Sequence, residues 1–233
     1  RRDALRRRLV DCADCRFKAY LPDPAAEGAD PILYRKKRFA FEASGTKLIS
    51  VCGHVQRPGN YEVTMGTPMK DLIFDMCGGM KPGRTLKAVI PGGSSVPIMT
   101  AAETEDCLLD YEGVVARGSM LGSGGMIVMD DSTDMVYQIW RLARFYAHES
   151  CAQCTQCREG TAWTTKILER ILAGKGKAAD LDLLLSLSEN MTGKTICVLS
   201  DSCAAPIVSG IAKFRSEFDA YLSGARQPAL AMA

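Results

Sequence analysis

Residues 149–160 read ESCAQCTQCREG and place cysteines at 151, 154 and 157, with two residues between neighbouring thiols. This spacing puts three sulfur ligands on one short loop. A helix-like run begins near Arg158, and the free N–H groups of a helix N-terminus favour the negative charge of a thiolate site. The stretch therefore predicts a metal–sulfur centre that needs a fourth ligand from elsewhere in the chain.

Cys197 is the best-spaced fourth ligand. The 39 residues between Cys157 and Cys197 have room for one helix, a turn and a second helix. An up–down bundle returns the chain to the end where it started, so Cys197 can meet the three-cysteine loop there. Cys203 is the competing candidate. It falls inside the predicted start of the last helix, where a free cysteine more often packs as a small apolar side chain.

The three-plus-one grouping favours a [4Fe–4S] cluster over zinc. A short loop can hold three corners of the cluster while one distant thiolate holds the last iron. Structural zinc also takes four thiolates, but usually as two separate pairs. The predicted ligands are therefore Cys151, Cys154, Cys157 and Cys197, with zinc as the alternative metal.

The composition is that of a soluble globular protein. The chain has 233 residues, of which 47% are hydrophobic and 24% charged, and its net charge is +2. A net charge this small does not favour binding to nucleic acid or to an anionic membrane. Apolar runs stay far below the roughly 18 residues of a membrane span, so no direct membrane insertion is expected. Ten cysteines without a signal sequence indicate metal or redox work in a reducing compartment rather than a secreted disulfide framework.

The N-terminal part is predicted to hold an arm and a small α+β domain. Residues 1–44 are strongly basic, contain the pair Cys12 and Cys15, and are interpreted as an unassigned arm or linker. In residues 45–130, the strand-like segments KLISV and YEVT flank a Pro-Gly turn, which predicts a hairpin. A helix opened by Thr67 and Pro68 and further strands follow. Three cysteines stand singly in this domain and are predicted to be packing residues: Cys52, Cys77 and Cys107.

Residues 131–222 are predicted to form four helices with short connections, which is typical of a compact bundle. The fourth helix is expected to continue to Leu222, because its apolar residues keep helical spacing: Ile207, Ile211, Phe214, Phe218 and Leu222. Residues 223–233 are a C-terminal tail. His148 and Glu149 are interpreted as structural, since adjacent helical positions do not face one another.

Five stretches resemble a known family. They are GTKLISVCGHVQRPGNYEV, LKAVIPGGSSVPI, GSMLGSGGMIVMD, RLARFYAHESCAQCTQCREGT and GKTICVLSDSCAAPI. They resemble the C-terminal half of the NADH-binding flavoprotein subunit of complex I, which in bacteria is the F subunit of NADH:quinone oxidoreductase. The diaphorase subunits of NAD-reducing hydrogenases and NAD-dependent formate dehydrogenases are similar. The resemblance covers residues from about 45 to 222.

The resemblance implies an α+β fold, in which a ubiquitin-like β-grasp domain precedes a four-helix bundle that holds one [4Fe–4S] cluster. It implies the same four ligands, Cys151, Cys154, Cys157 and Cys197, and no catalytic acid, base or nucleophile. The implied role is to relay single electrons from FMN to the next iron–sulfur subunit of an NADH dehydrogenase. The implied partners are the two-iron-cluster subunit and the large iron–sulfur subunit, in a cytoplasmic complex peripheral to the inner membrane.

The chain departs from this family in its first part. The family's flavin and NADH domain carries glycine-rich sequence of the type GRGGAGFP, and nothing here matches it. The chain alone is therefore expected neither to bind FMN nor to oxidise NADH, and a separate flavin-domain chain becomes a candidate partner. The alternative function is a non-catalytic zinc-bound or apo interaction module that lost the flavin domain. A nucleic-acid-binding role is disfavoured, because only 7% of residues are aromatic.

Two further departures lie near the predicted ligands. The family usually has glycine and proline where this chain has Ala152 and Gln156, so the loop geometry or the cluster potential is expected to differ. The family's usual LGDAAA is LSDSCA here, which makes Cys203 an addition and argues against its being the standard ligand.

Overall fold

A computed structural model describes residues 45–229. The predictions for residues 1–44, including those for Cys12 and Cys15, lie outside the described residues. The described residues form two compact units. The first comprises the residues up to Gly93 together with Met99–Asp131, and the second comprises Ser94–Ile98 and the residues from Ser132 onward.

The first unit contains a five-stranded sheet with the strand order β2-β1-β5-β3-β4. Strands β1 and β2 pair antiparallel, which confirms the predicted hairpin, whereas β1 and β5 pair parallel. The strands are β1 (Thr46–Gly53), β2 (Gly59–Thr64), β3 (Leu86–Ile90), β4 (Met99–Thr100) and β5 (Gly125–Asp130).

Strand β1 buries one face, whereas consecutive residues are buried in β3 and β5. In β1, Ile49 and Val51 are buried while Leu48 on the same strand is exposed, as the two-residue period of a strand requires. A short π-helical segment, Asp71–Met76, packs Leu72 and Ile73 into the same core. The helix predicted after Thr67 and Pro68 therefore buries one face, and it is π-helical over Asp71–Met76.

Two short helices in the first unit were not predicted. Helix α1 (Ala101–Glu105) begins with a capping box, in which the Thr100 side chain accepts from the Glu103 backbone N–H and the Glu103 carboxylate accepts from the Thr100 backbone N–H. Helix α2 (Tyr111–Ala116) is capped by Asp110. Helices this short have too few turns to produce an apolar period.

The second unit is helical. Its elements are α3 (Met135–Glu149), α4 (Thr155–Leu172), α5 (Ala179–Met191), α6 (Leu199–Lys213) and α7 (Arg215–Leu222). Among the helices of residues 45–229, none is both long enough and apolar enough to cross a membrane.

The prediction of one continuous last helix was wrong. Phe214 adopts φ −123° and ψ 32°, which separates α6 from α7. The apolar spacing continues across the break because both helices bury residues of the same series, such as Ile211 in α6 and Phe218 in α7. Burial alone therefore does not reveal where the backbone leaves the helix.

Helix packing in the second unit positions the cysteine-containing connections. Helix α3 packs against α4 and α6, and α5 packs against both α4 and α6. Gly160 of α4 permits one of these close approaches, since a Cβ on it would lie 2.4 Å from Met191 Sδ at the end of α5. The start of α4 therefore lies beside the end of α5, immediately before the segment that carries Cys197.

Candidate metal–sulfur centre

The four predicted ligands lie on two connections of the helical unit. Cys151 precedes α4, Cys154 is its N-cap residue, and Cys157 falls in its first turn. Cys197 lies between α5 and α6. All four are free thiols; Cys157 is buried, Cys154 is half-buried, and Cys151 and Cys197 are exposed.

The two connections touch at Cys154. The backbone N–H of Ile196 donates a hydrogen bond to Cys154 Sγ, with 3.5 Å between nitrogen and sulfur. Cys197 is the next residue along the chain. The helical unit therefore brings the segment of Cys197 against the three-cysteine loop, although about 40 residues separate them in sequence.

Hydrogen bonds fix the segment around Cys197. Thr195 Oγ1 donates to the Cys197 carbonyl at 2.8 Å and lies 2.6 Å from Ser200 Oγ. The buried Ser200 hydroxyl can donate its one proton either to Thr195 Oγ1 or to the Met191 carbonyl oxygen, which lies 3.2 Å away. These bonds tie the segment to the end of α5 and the start of α6. The sequence analysis did not predict a role for Thr195 or Ser200. The only feature of the sequence that points to them is that they flank Cys197, a predicted ligand.

The three-cysteine loop contains a left-handed residue. Ala152 has φ 64°, the one positive φ of a non-glycine residue in the described part of the chain. Its carbonyl accepts a hydrogen bond from Arg158 Nη1 at 3.1 Å. Arg158, in the first turn of α4, therefore holds the loop in this conformation. The Arg158 Nε–H also donates to Glu159 at 2.8 Å.

Cys203 occupies a different environment from the four predicted ligands. It lies in α6 and is fully buried. Burial, together with a smaller contribution from negative charge on Cys157, raises the pKa of the Cys203 thiol to about 12. At neutral pH the Cys203 side chain is thus a protonated, inaccessible thiol, whereas metal ligation requires a thiolate.

The remaining sequence candidates divide between packing and surface positions. Cys77 and Cys107 are buried, as predicted, but Cys52 is exposed and its assignment as a packing residue was wrong. The expectation that His148 and Glu149 do not face one another was also wrong. Near the end of α3, His148 Nδ1 lies 3.1 Å from Glu149 Oε1, and both side chains are at least half exposed.

Two family models match the chain. An SLBB domain matches residues 47–137, and the NADH-ubiquinone oxidoreductase-F iron–sulfur binding region matches residues 137–221. The F subunit of NADH-quinone oxidoreductase from Rickettsia bellii (strain OSU 85-389) is 46% identical over 177 residues, or 76% of this chain and 42% of that protein. The corresponding F 1 subunit from Rhizobium meliloti (strain 1021) is 48% identical over 176 residues, or 75% and 41%.

Over these residues the chain is homologous to the F subunit of NADH-quinone oxidoreductase. It spans about two fifths of the length of these relatives. A solved structure, an NAD+-reducing [NiFe]-hydrogenase in the H2-reduced state, aligns with a TM-score of 0.68 at 34% identity, over 78% of this chain and 30% of the hydrogenase chain. The predicted resemblance to this flavoprotein subunit and to the NAD-reducing hydrogenases is confirmed.

The matched iron–sulfur binding region confirms the predicted class of cofactor, a [4Fe–4S] cluster. The donor chemistry fits such a cluster, because the two connections offer four thiols and cluster irons are held by cysteine thiolates. Across residues 45–229, no three His, Cys, Asp or Glu side chains lie close enough together to hold a single metal ion.

The left-handed backbone at position 152 is a conformation that glycine adopts without strain. A Cβ in this conformation crowds the neighbouring carbonyl oxygen and costs about 1–2 kcal/mol. We therefore expect Ala152→Gly to raise the free energy of unfolding of the helical unit by roughly 0.5–1 kcal/mol. Urea denaturation followed by circular dichroism measures this change.

The matched control is Ala147→Gly, in the helical backbone of α3. Glycine there removes a good helix former and should lower the free energy of unfolding by about 1 kcal/mol. Two substitutions of the same chemical type are thus expected to act in opposite directions. If both variants lose stability, the strain at Ala152 is not relieved by glycine and the explanation is wrong.

Proposed function

We propose that the chain is an electron-transfer module of an NADH dehydrogenase, in which Cys151, Cys154, Cys157 and Cys197 hold one [4Fe–4S] cluster. The observation that carries this proposal is the hydrogen bond from the Ile196 N–H to Cys154 Sγ at 3.5 Å. It supports a shared site because it joins the two cysteine-bearing connections within the matched iron–sulfur binding region.

Helices α3 to α6 are interpreted as the family's four-helix bundle, and the sheet unit as its β-grasp domain. The packing of α3 on α4, α4 on α5 and α5 on α6 supports the bundle assignment. The mixed sheet, with its parallel pairing of β1 and β5 beside the β1–β2 hairpin, supports the β-grasp assignment. The hydrogenase structure supports both, since its alignment covers 78% of the chain.

The start of α4 is suited to a negatively charged site. Cys154 is the N-cap residue, and its side chain makes no capping hydrogen bond. The backbone N–H groups of the first helical turn therefore lack the usual side-chain acceptor. Together with the helix dipole, they stabilise negative charge beside Cys154 and Cys157.

When bound, a [4Fe–4S] cluster supplies one-electron transfer at a potential set by its protein surroundings. The predicted ligands differ in their exposure to solvent. Cys157 is 7% exposed and faces the protein, whereas Cys151 and Cys197 are exposed. Electrons would leave or enter most directly on the side of the two exposed thiols, where a partner chain has access.

The wider role follows from the NADH-quinone oxidoreductase relatives and is part of the proposal. Electrons from NADH would reach the cluster through FMN on a flavin domain and pass to the two-iron-cluster and large iron–sulfur subunits. The complex would be cytoplasmic and peripheral to the inner membrane. The alternative zinc-bound or apo interaction module is less favoured, because the four-cysteine pattern lies inside a matched iron–sulfur binding region.

Anaerobic purification with analysis of iron, acid-labile sulfide, zinc and flavin tests the proposed function. We expect about four irons and four sulfides per chain, and visible absorption that bleaches on chemical reduction. Cys107→Ser provides the control, since Cys107 is buried in the sheet unit and should not affect iron content. Stoichiometric zinc, or no metal in freshly purified chain, would favour the interaction module instead.

A further inference from the structure

Ser150 contacts the most buried of the predicted sulfur ligands. It is the residue that ends α3, with φ −64° and ψ 122°, and it directly precedes Cys151. Its Oγ lies 3.3 Å from Cys157 Sγ, seven residues along the chain. Cys157 is the buried member of the three-cysteine loop, so this contact lies on the protein side of the predicted site.

The direction of this hydrogen bond follows from the chemistry of a ligated thiolate. An iron-bound Cys157 has no proton to donate, and its sulfur can only accept. Ser150 Oγ in turn accepts from the Ala152 backbone N–H at 3.4 Å. Because the Ala152 N–H occupies a lone pair of Ser150 Oγ and not its proton, the hydroxyl can still donate that proton to Cys157 Sγ.

A donor at this sulfur favours the reduced cluster. Reduction adds negative charge that spreads onto the sulfur ligands, and hydrogen bonds to those sulfurs are among the determinants of cluster potential. A hydrogen bond to a charged acceptor is stronger than one between neutral groups. Because Cys157 is 7% exposed, water has little access to replace the Ser150 hydroxyl.

Resting on the proposed function, we propose that Ser150 is a positioning residue whose hydroxyl raises the reduction potential of a cluster held by Cys157. The other hydrogen bond to a predicted ligand sulfur in the described residues comes from the Ile196 backbone. That donor survives side-chain substitution, whereas the Ser150 hydroxyl does not. The two contacts can therefore be separated by mutating Ser150 alone.

The test is a redox titration of the full chain, purified without oxygen and monitored by visible absorption. We expect Ser150→Ala to keep four irons but to shift the midpoint potential to a more negative value. Ser150→Thr keeps the hydroxyl and should stay close to the unsubstituted chain. Ser202→Ala is the matched control, since the Ser202 hydroxyl donates to the carbonyl of Val198, the N-cap residue of α6, and makes no contact with a predicted ligand sulfur, so the potential should stay unchanged.

The outcomes separate this proposal from the function on which it rests. If the unsubstituted chain binds no cluster, the proposed function fails. If it binds four irons and Ser150→Ala has the same potential, only the role of Ser150 is overturned. Loss of iron in Ser150→Ala would also overturn it, because the serine would then support loop structure rather than tune the potential.

Discussion

Cys197→Ser is expected to abolish the stable four-iron cluster, whereas Cys203→Ser keeps it. Serine replaces a thiolate with an alcohol that stays protonated near neutral pH, so the corner of the cluster predicted to bind Cys197 would lose its ligand. Cys203 is poorly suited to take over. It is fully buried within α6, and its thiol pKa of about 12 keeps it protonated.

Iron and sulfide analysis of both variants, purified in parallel, measures the effect. Cys203→Ser is a suitable control because a serine in a helix can donate to the carbonyl four residues earlier, which limits the cost of burying its hydroxyl. Circular dichroism should show both variants folded. Equal iron content in the two variants would contradict the assignment of Cys197, and iron loss in Cys203→Ser alone would transfer the fourth position to Cys203.

The strands and the hairpin could be predicted because their signals are local. Ile49 and Val51 alternate with outward residues, and the Pro-Gly turn stands between two such segments. The sequences of the short helices α1 and α2 have no comparable apolar period. Their only signals in the sequence are the capping residues Thr100 and Asp110. A cap without a following apolar stripe is weak evidence, because the same residues also favour turns.

The break at Phe214 shows a different limit of sequence reasoning. Its neighbours in the apolar series are buried on both sides, so a continuous helix and two successive helices predict the same burial. What distinguishes them is the backbone at a single residue, where φ reaches −123°. Hydrophobic periodicity reports which residues face the core and carries little information on such a break.

For the candidate site, sequence spacing favoured four cysteines but left Cys203 as a competitor for the fourth position, and the identity of Ala152 marked the loop as unusual. The contacts that shape the site were not accessible in the same way. The Ser150–Cys157 and Ile196–Cys154 hydrogen bonds depend on how the two connections fold against each other. Serine and a backbone amide are too common in loops for their presence near a cysteine to predict such a bond.

Gly53→Ala is expected to destabilise the sheet unit strongly. Gly53 ends β1 at φ 95°, and a Cβ there would lie 2.1 Å from the Val128 carbonyl oxygen of β5. That oxygen accepts the His54 N–H at 2.8 Å within the parallel β1–β5 pairing, so it cannot move aside without breaking the ladder. Backbone strain and overpacking together should cost roughly 3–5 kcal/mol, against a typical total stability of about 5–15 kcal/mol.

Gly45→Ala isolates the clash from the backbone strain. Gly45 has a similar φ of 101°, but a Cβ there would meet no atom within 4 Å. This control should therefore lose only about 1–2 kcal/mol, the cost of a left-handed alanine. Urea unfolding followed by circular dichroism should give a clearly lower midpoint for Gly53→Ala than for Gly45→Ala. Equal midpoints would mean that β1 and β5 can separate at Gly53 without penalty, which would contradict a ladder held closed by the Val128 carbonyl.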